Sequence, residues 1–417
     1  MTVTPLFIRN HPLSGTEQFQ IDSNLLSQLL PASPEGAKTR LFHLPLPDGA
    51  VISLHTEYAE TTVDGYALYG VQPDNRAIYA FIGVTGDSTV GFHLAGSVYL
   101  EEQNYIIEPA GAGQVTISPA PPLTELFHLH AGEIRTPVAT STDGLPLLQP
   151  VGEDNTSPAE IAILALYPAA LETAIAGGVA GITAVVNKMQ IALNIAFRNT
   201  GIAAQGKITV DKLDVLKQTE VTALLKEVVI FDWSKNAFVR GPAWQAVSEL
   251  RDARKADVVA LLAPTLGDDM FYGLTSCIPQ PASASHSELD YATMSVCAKL
   301  GGADMVFAHE FGHLLGGLHS RHMQKKGLGN PQYDFARGYI SKDGSWGTLM
   351  ANGETGTTIP AWSATDRQWK GETTGVPAGQ PDAADCASLF RLSVHQVSRY
   401  RSHTAPVIPG NRSGDTG

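Results

Sequence analysis

The sequence is poor in cysteine. Its 417 residues include three cysteines, Cys277, Cys297 and Cys386, and no C-x-x-C pair. This disfavours a cysteine-ligated zinc site and a thioredoxin-like redox motif. An odd number of cysteines permits at most one intramolecular disulfide with one thiol left over. A Cys277–Cys297 pair cannot be ranked above the pairs that include Cys386.

Positive charge is also scarce. The 28 Lys and Arg residues are outnumbered by 41 Asp and Glu residues, which gives a formal net charge of −13. A protein with this balance repels polyanions. We therefore expect neither nucleic acid nor an anionic membrane surface as its main partner.

Long hydrophobic runs and a Sec-type signal peptide are missing too. The amino terminus, MTVTPLFIRNHPLSG, has no basic segment followed by an apolar core. We expect a protein that is secreted or delivered by a non-Sec route, and a cytoplasmic location stays open. The charge-free run in the most apolar region covers 173–187, which is 15 residues. This is too short to span a bilayer, so we expect no membrane insertion.

The length exceeds what one hydrophobic core usually serves, and the composition changes along the chain. Residues 1–150 carry 5 basic and 15 acidic side chains. Short apolar runs separated by turn signals, Pro47-Asp48-Gly49 among them, are typical of antiparallel strands. We predict four segments: a β-rich domain at 1–130, a Pro/Ser/Thr-rich linker at 131–159, a catalytic domain at 160–403 and a disordered tail at 404–417.

The second domain alternates between two periodicities. The runs IAILALY, KITVDKL, EVVIFDW and ADVVALLAP are strand candidates, whereas apolar residues between Val179 and Phe197 recur at helical spacing, and GPAWQAVSELRDARK reads as another helix. Strands that alternate with helices predict a mixed sheet flanked by helices. With the β-rich domain in front, the predicted fold class is α+β.

Residues 309–319 read His-Glu-Phe-Gly-His-Leu-Leu-Gly-Gly-Leu-His. His309 and His313 are four residues apart, so both project from one face of a helix that begins near Ala303, within reach of one metal ion. Gly316 lets the backbone leave the helix and brings His319 round as a third ligand.

Three imidazoles leave the fourth position of a tetrahedral Zn²⁺ to water, which is typical of a catalytic site. Glu310 lies beside the first ligand, where its carboxylate can take a proton from that water and later deliver it to a leaving amine. The sequence therefore predicts a zinc endopeptidase that hydrolyses protein or peptide substrates.

At this point the chain resembles the metzincin metalloproteases, which share the extended motif and a later methionine turn, here Gly347-Thr348-Leu349-Met350-Ala351. The resemblance implies a twisted mixed sheet, a zinc helix at the floor of a cleft, one catalytic Zn²⁺, and Met350 as an apolar base beneath the metal. A structural Ca²⁺ is left open.

Upstream segments, among them ELRDARKADVVALL followed by FYGLTSC, are similar to reprolysin-like and peptidyl-aspartate metalloendopeptidase-like members. The resemblance implies an edge strand that holds substrate by main-chain pairing, for which Gly273 and Leu274 are the candidates. It also implies a pocket wall for the residue after the scissile bond, formed by Pro360 and Trp362.

Two departures leave the subfamily open. Ser320 follows the third histidine, whereas reprolysins and peptidyl-aspartate enzymes carry aspartate there and matrixins carry serine. No cysteine occurs in residues 1–276, which excludes latency by a propeptide cysteine.

Four arginines are candidates for a basic substrate subsite, and no spacing argument selects one of them: Arg251, Arg254, Arg337 and Arg367.

The β-rich domain supports two hypotheses. As the propeptide that the resemblance implies, it would block the metal through an aspartate, with Asp87 and Asp154 as candidates. As a retained module, it would bind a target protein. A protein inhibitor is a further conceivable partner. The non-enzyme alternative, a zinc-stabilised binding protein, does not explain why Glu310 is present.

Overall fold

The computed structural model describes residues 5–9, 17–29, 40–120, 157–232, 237–268, 270–276, 292–323, 333–351 and 355–401. The chain contains both helices and sheets, as the predicted α+β class requires. The predicted tail and most of the predicted linker lie outside the described residues. The domain boundaries therefore stay predictions.

The first part of the chain forms an antiparallel sheet of nine strands with order β1-β2-β9-β8-β7-β6-β5-β4-β3. Its strands are β1 (Phe7–Arg9), β2 (Glu17–Ile21), β3 (Leu41–Pro45), β4 (Val51–Thr62), β5 (Gly65–Gln72), β6 (Asn75–Asp87), β7 (Gly91–Tyr99), β8 (Asn104–Gly111) and β9 (Gln114–Ala120), and helix α1 (Ser23–Leu29) follows β2. The predicted turn joins β3 to β4, and Gly49 has the positive φ of 91° that such a turn favours.

The rest of the chain alternates strands and helices. The strands are β10 (Ala159–Tyr167), β11 (Ala204–Lys212), β12 (Val229–Asp232), β13 (Ala237–Arg240), β14 (Val258–Ala263), β15 (Gly273–Thr275), β16 (Thr293–Cys297), β17 (Trp346–Gly347), β18 (Thr357–Thr358), β19 (Gln368–Trp369) and β20 (Glu372–Thr373). The helices are α2 (Ala170–Ala174), α3 (Gly178–Thr200), α4 (Val221–Val228), α5 (Trp244–Arg254), α6 (Ala303–Leu314) and α7 (Cys386–Val397), and a 3-10 turn covers Leu349–Ala351.

Five of these strands form a second sheet with order β11-β10-β14-β16-β15. The first four are parallel, and β15 is an antiparallel strand at the edge. The helices and strands predicted within 161–264 are confirmed, with one correction. Glu227 and Val228, predicted in a strand, end helix α4. Elements that were not predicted include the helix at 221–228, the strand at 293–297 and the helix at 386–397.

Helix α3 lies between the two sheets. One side packs across β5, β6 and β7 of the nine-stranded sheet, and another side packs on β11 and α6. Although its charge-free run is short, α3 as a whole is long and apolar enough to cross a membrane, but 89% of its most apolar stretch is buried inside the protein. Eighteen of its 23 residues are buried, as this position between packed elements requires.

The central strands β5, β6 and β7 of the nine-stranded sheet are largely buried on both faces. Neighbouring residues in a strand point to opposite faces, and Leu68 and Ile82 belong to one apolar cluster while Tyr69 and Phe81 belong to the other. The second cluster is continuous with the core around α3 and α6. The two parts of the chain therefore share one hydrophobic core.

The described cysteines form no disulfide. Cys297 and Cys386 are free and buried, so neither takes part in the disulfide that the sequence left open. Burial raises the pKa of Cys297 to about 11 and that of Cys386 to about 12. Cys277 lies outside the described residues.

The close packing of the nine-stranded sheet on α3 can be tested at Gly83 of β6. A Cβ there would lie 2.0 Å from the carbonyl oxygen of Ala184 and 2.4 Å from the amide nitrogen of Lys188, both main-chain atoms of α3. We expect Gly83→Ala to lower the free energy of unfolding by about 1–3 kcal/mol, because the sheet must move away from the helix. Denaturant unfolding measures this loss.

The matched control is Gly356→Ala, where the nearest atom to a new Cβ is 3.7 Å away. We expect this variant to stay within about 0.5 kcal/mol of the wild type. Equal stability of the two variants would contradict close packing of the sheet on α3.

Candidate metal centre

Helix α6 carries the histidine motif and begins at Ala303, as predicted. All 12 of its residues are buried. The helix ends at Leu314, and Gly316 then takes a positive φ of 98°. This is the predicted departure of the backbone, and it brings His319 back toward the two histidines of the helix.

The three imidazoles converge through their Nε2 atoms. The Nε2 of His319 lies 3.2 Å from that of His309 and 3.0 Å from that of His313. Tetrahedral zinc with Zn–N bonds of about 2.0–2.1 Å separates its ligand nitrogens by about 3.3 Å. The three side chains, which are at most 6% exposed, therefore form a buried cluster of the size that one metal ion requires.

Main-chain carbonyls fix two of the rings. His309 Nδ1 donates to the oxygen of Leu349 at 2.7 Å, and His313 Nδ1 donates to the oxygen of Gly317 at 2.7 Å. A proton on Nδ1 leaves the Nε2 lone pair for a metal, and such outer contacts orient metal-binding histidines generally. The donor set fits zinc, and imidazole also suits other transition metals.

A buried arginine supports the third histidine. Arg337 donates from Nη1 to the main-chain oxygen of His319 at 3.1 Å and is ion-paired with Asp334. Arg337 is one of the arginines considered for a substrate subsite, and it is fully buried. Its observed contacts are those of a structural residue.

Met350 lies in the 3-10 turn against the helix. A Cβ at Gly312 would lie 2.7 Å from its sulfur. The oxygen of Met350 accepts from the amide of Ser320 at 3.0 Å, so the turn is joined to the residue after the third ligand. The structure thus brings the predicted methionine turn to the histidine helix.

The pocket wall that the resemblance implies, with Pro360 and Trp362, stays a prediction. Trp362 is fully buried, with its ring 5.1 Å from that of Phe197 and 5.3 Å from that of Phe390. The indole occupies the space that Gly312 leaves on the helix. Pro360 is also buried, and its oxygen accepts from Asn199 at 3.0 Å. Both residues pack the core behind the site.

Gly273 and Leu274 lie on β15, at the edge of the five-stranded sheet and beside α6. A Cβ at Gly273 would lie 2.6 Å from Cγ of Glu310, so the glycine allows this close approach. The Leu274 side chain points away from the helix and is half-buried against the apolar cluster on the other face of the five-stranded sheet. Substrate contact by these residues stays a prediction.

Asp87, considered as a metal ligand of a propeptide, lies at a tight turn. It ends β6, exposed, and accepts from the amides of Thr89 and Val90 and from the Thr89 hydroxyl. The Thr89 contacts, with that of Val90, lower the pKa of Asp87. A carboxylate that caps a tight turn is occupied by local amides, and a metal contact of Asp87 stays a prediction. Asp154 lies outside the described residues.

Sequence reasoning missed a polar network at the start of α6. Asp304 accepts from Ser97 at 2.9 Å and from the Tyr99 hydroxyl at 3.0 Å, and its carboxylate lies 3.6 Å from Nζ of Lys188. Burial raises the pKa of Tyr99 well above its usual range, which keeps the hydroxyl protonated as a donor. The available signal was that Lys188 and Asp304 are isolated charges in apolar helices.

Comparison with known proteins finds distant likenesses in structure. No protein-family model and no curated protein matches the chain. The structure of a chaperone–substrate complex shares 16% identity at a TM-score of 0.42, over 59% of this chain and 36% of its own. A crystal structure of metalloproteinase-II from Bacteroides fragilis shares 11% identity at a TM-score of 0.40, over 81% and 90%. The chain thus spans little more than a third of the length of the matched chain in the chaperone–substrate complex. At these TM-scores neither likeness assigns a family or an activity.

The histidine cluster predicts specific metal binding. We expect about one Zn²⁺ per chain after dialysis, and less than about a tenth of that in His313→Ala, because two nitrogens cannot complete the site. Elemental analysis of the dialysed proteins measures the metal. The matched control is His322→Ala, an exposed histidine three residues past the third ligand. Equal zinc loss in both variants would contradict the assignment.

Proposed function

We propose that the protein is a zinc-dependent endopeptidase of the metzincin type. The observation that carries this proposal is the convergence of three Nε2 atoms, 3.0 and 3.2 Å apart, next to the carboxylate-bearing residue Glu310. The rings are already oriented by carbonyls of Leu349 and Gly317. These contacts orient the rings toward one metal position.

The chemistry follows from the residues around the metal position. When bound, Zn²⁺ polarises a carbonyl and lowers the pKa of water. Glu310 then takes the proton of the attacking water as a general base and returns it to the leaving amine as a general acid. The C–N bond breaks, and an amine and a carboxylic acid are released.

Two features near the site favour a polypeptide substrate. In the described part of the chain, β15 pairs on one side only, so its other edge can pair with an extended peptide. A cavity of about 340 Å³ adjoins the residue after the third ligand, and its lining includes Ser320, His322 and Tyr339.

The non-enzyme alternative, a structural zinc in a binding protein, is less well supported. Structural zinc sites are closed by four protein ligands, whereas the cluster in the described residues has three. A closed site also has no use for the buried carboxylate of Glu310.

We further propose that the nine-stranded sheet is a permanent part of the catalytic unit rather than a removable propeptide. Its inner face shares a core with α3 and α6, and its Ser97 and Tyr99 bind Asp304 at the start of the histidine helix. Tyr79 reaches further and donates to the oxygen of Thr358 at 2.9 Å. Removal of the sheet would expose this whole surface.

The first test replaces the proposed base. Glu310→Gln should lower the rate of cleavage of an unfolded protein by about 10²–10⁴-fold, because the amide cannot accept the proton. Mass spectrometry of the products measures cleavage, and elemental analysis should show unchanged zinc. Cleavage by the variant at the wild-type rate would contradict the role of Glu310. A zinc-loaded wild type that cuts no substrate would favour the binding-protein alternative.

The second test cuts the connection between the sheet and the rest. A recognition site for a specific protease, inserted within residues 121–156, allows the purified protein to be cleaved once. We expect both pieces to elute together in size-exclusion chromatography and to keep zinc and activity, because a shared apolar core holds them together. Separation of the pieces with a gain in activity would instead identify a propeptide.

A further inference from the structure

We infer that Thr275 is a positioning residue that orients the carboxylate of Glu310. This inference rests on the proposed function. The Thr275 hydroxyl lies 2.6 Å from Oε2 of Glu310 and 3.1 Å from its main-chain oxygen. Thr275 is 4% exposed and Glu310 is fully buried, so the contact is shielded from solvent. A hydrogen bond in such low-dielectric surroundings is stronger than one in water.

The strand that carries Thr275 is fixed at both ends. Thr275 pairs with Met294 of β16. Before the strand, the oxygen of Tyr272 accepts from the amide of Cys297 at 2.9 Å, and after it the amide of Ser276 donates to Thr293 at 2.9 Å. The threonine hydroxyl is therefore held by a rigid main chain.

Gly273 completes the arrangement from the same face of the strand. Residues two apart in a strand point to one side, and here that side is the helix. A Cβ at Gly273 would lie 2.6 Å from Cγ and 2.9 Å from Oε1 of Glu310, and 2.7 Å from Val306. Gly273 thus leaves room for the glutamate side chain, and Thr275 anchors its end.

The consequence for catalysis is geometric. A glutamate has three side-chain torsions, and a base acts only when its oxygen is within hydrogen-bonding distance of the proton that it takes. A fixed donor on Oε2 reduces the orientations that the carboxylate samples. Loss of a well-oriented geometry can lower a rate by about 10²-fold.

The experiment uses the full-length, zinc-loaded protein with Thr275→Val and Thr275→Ser. Valine keeps the branched shape and removes the hydroxyl, whereas serine keeps the hydroxyl. We expect Thr275→Val to lower kcat by about tenfold to a hundredfold, with KM changed by less than about twofold and zinc content unchanged. Thr275→Ser should recover at least about a third of the wild-type kcat, because the donor is restored.

Thr265→Val is the matched control, since Thr265 is exposed and its hydroxyl donates to the oxygen of Thr219. Its kcat should equal that of the wild type. A Thr275→Val variant with wild-type kcat, or one that loses zinc and kcat together, would overturn the positioning role.

A second readout does not need activity. The melting temperature is measured for the wild type, Thr275→Val, Glu310→Ala and the double variant. We expect Thr275→Val to lower the melting temperature less in the Glu310→Ala background, because the hydroxyl has lost its carboxylate partner. Equal losses in both backgrounds would overturn the contact. If the wild type cuts no substrate, the proposed function fails while this cycle still tests the contact.

Discussion

Helix α3 is buried between the two sheets, so each of its buried polar side chains needs a hydrogen-bonding or charged partner. The rest of the structure depends on this constraint. Eighteen of its residues are buried, four polar ones among them with partners on other elements. Asn187 donates to the oxygen of Val84, and Lys188 lies next to Asp304. Each contact is specific in distance and direction, so together they fix the helix relative to both sheets.

Two further amides of α3 act across the same boundary. Gln190 and Asn194 both donate to Glu60 of β4, at 3.0 Å, while their side-chain oxygens accept from the amides of Ile208 and Gly206. Burial raises the pKa of Glu60, although the two amides oppose that shift. Helix α3 thus joins the nine-stranded sheet to β11 of the five-stranded sheet. A buried polar group left without such partners would lower the stability of the fold.

The histidine motif could be predicted from the sequence because its ligands lie within eleven consecutive residues. Helix periodicity places His309 and His313, and a glycine conformation places His319. Thr275, by contrast, is 35 residues from Glu310, and the contact depends on how β15 pairs with β16. No local pattern in the sequence contains that register.

The packing of Trp362 could not be predicted for a related reason. Its neighbours Phe197 and Phe390 come from distant parts of the chain, and the space that it fills exists because residue 312 of the helix is glycine. The two-faced burial of the central strands of the first sheet, however, did have a signal. Runs such as AIYAFIGV are apolar at consecutive positions, which is typical of strands covered on both faces. Turn signals divided these runs correctly, but periodicity alone does not show what covers the second face.

The way in which the sheet is buried bears on how the proposed enzyme would be controlled. A propeptide that blocks a metal must offer a ligand and must be able to leave. In the described part of the sheet, the aspartate considered for this purpose, Asp87, is held by its own turn. The inner face offers Tyr69, Tyr79 and Phe81, whose removal from the core would expose large aromatic surfaces to water. The contacts of Ser97 and Tyr99 with Asp304 therefore favour the proposed role of the sheet as a permanent support of the histidine helix.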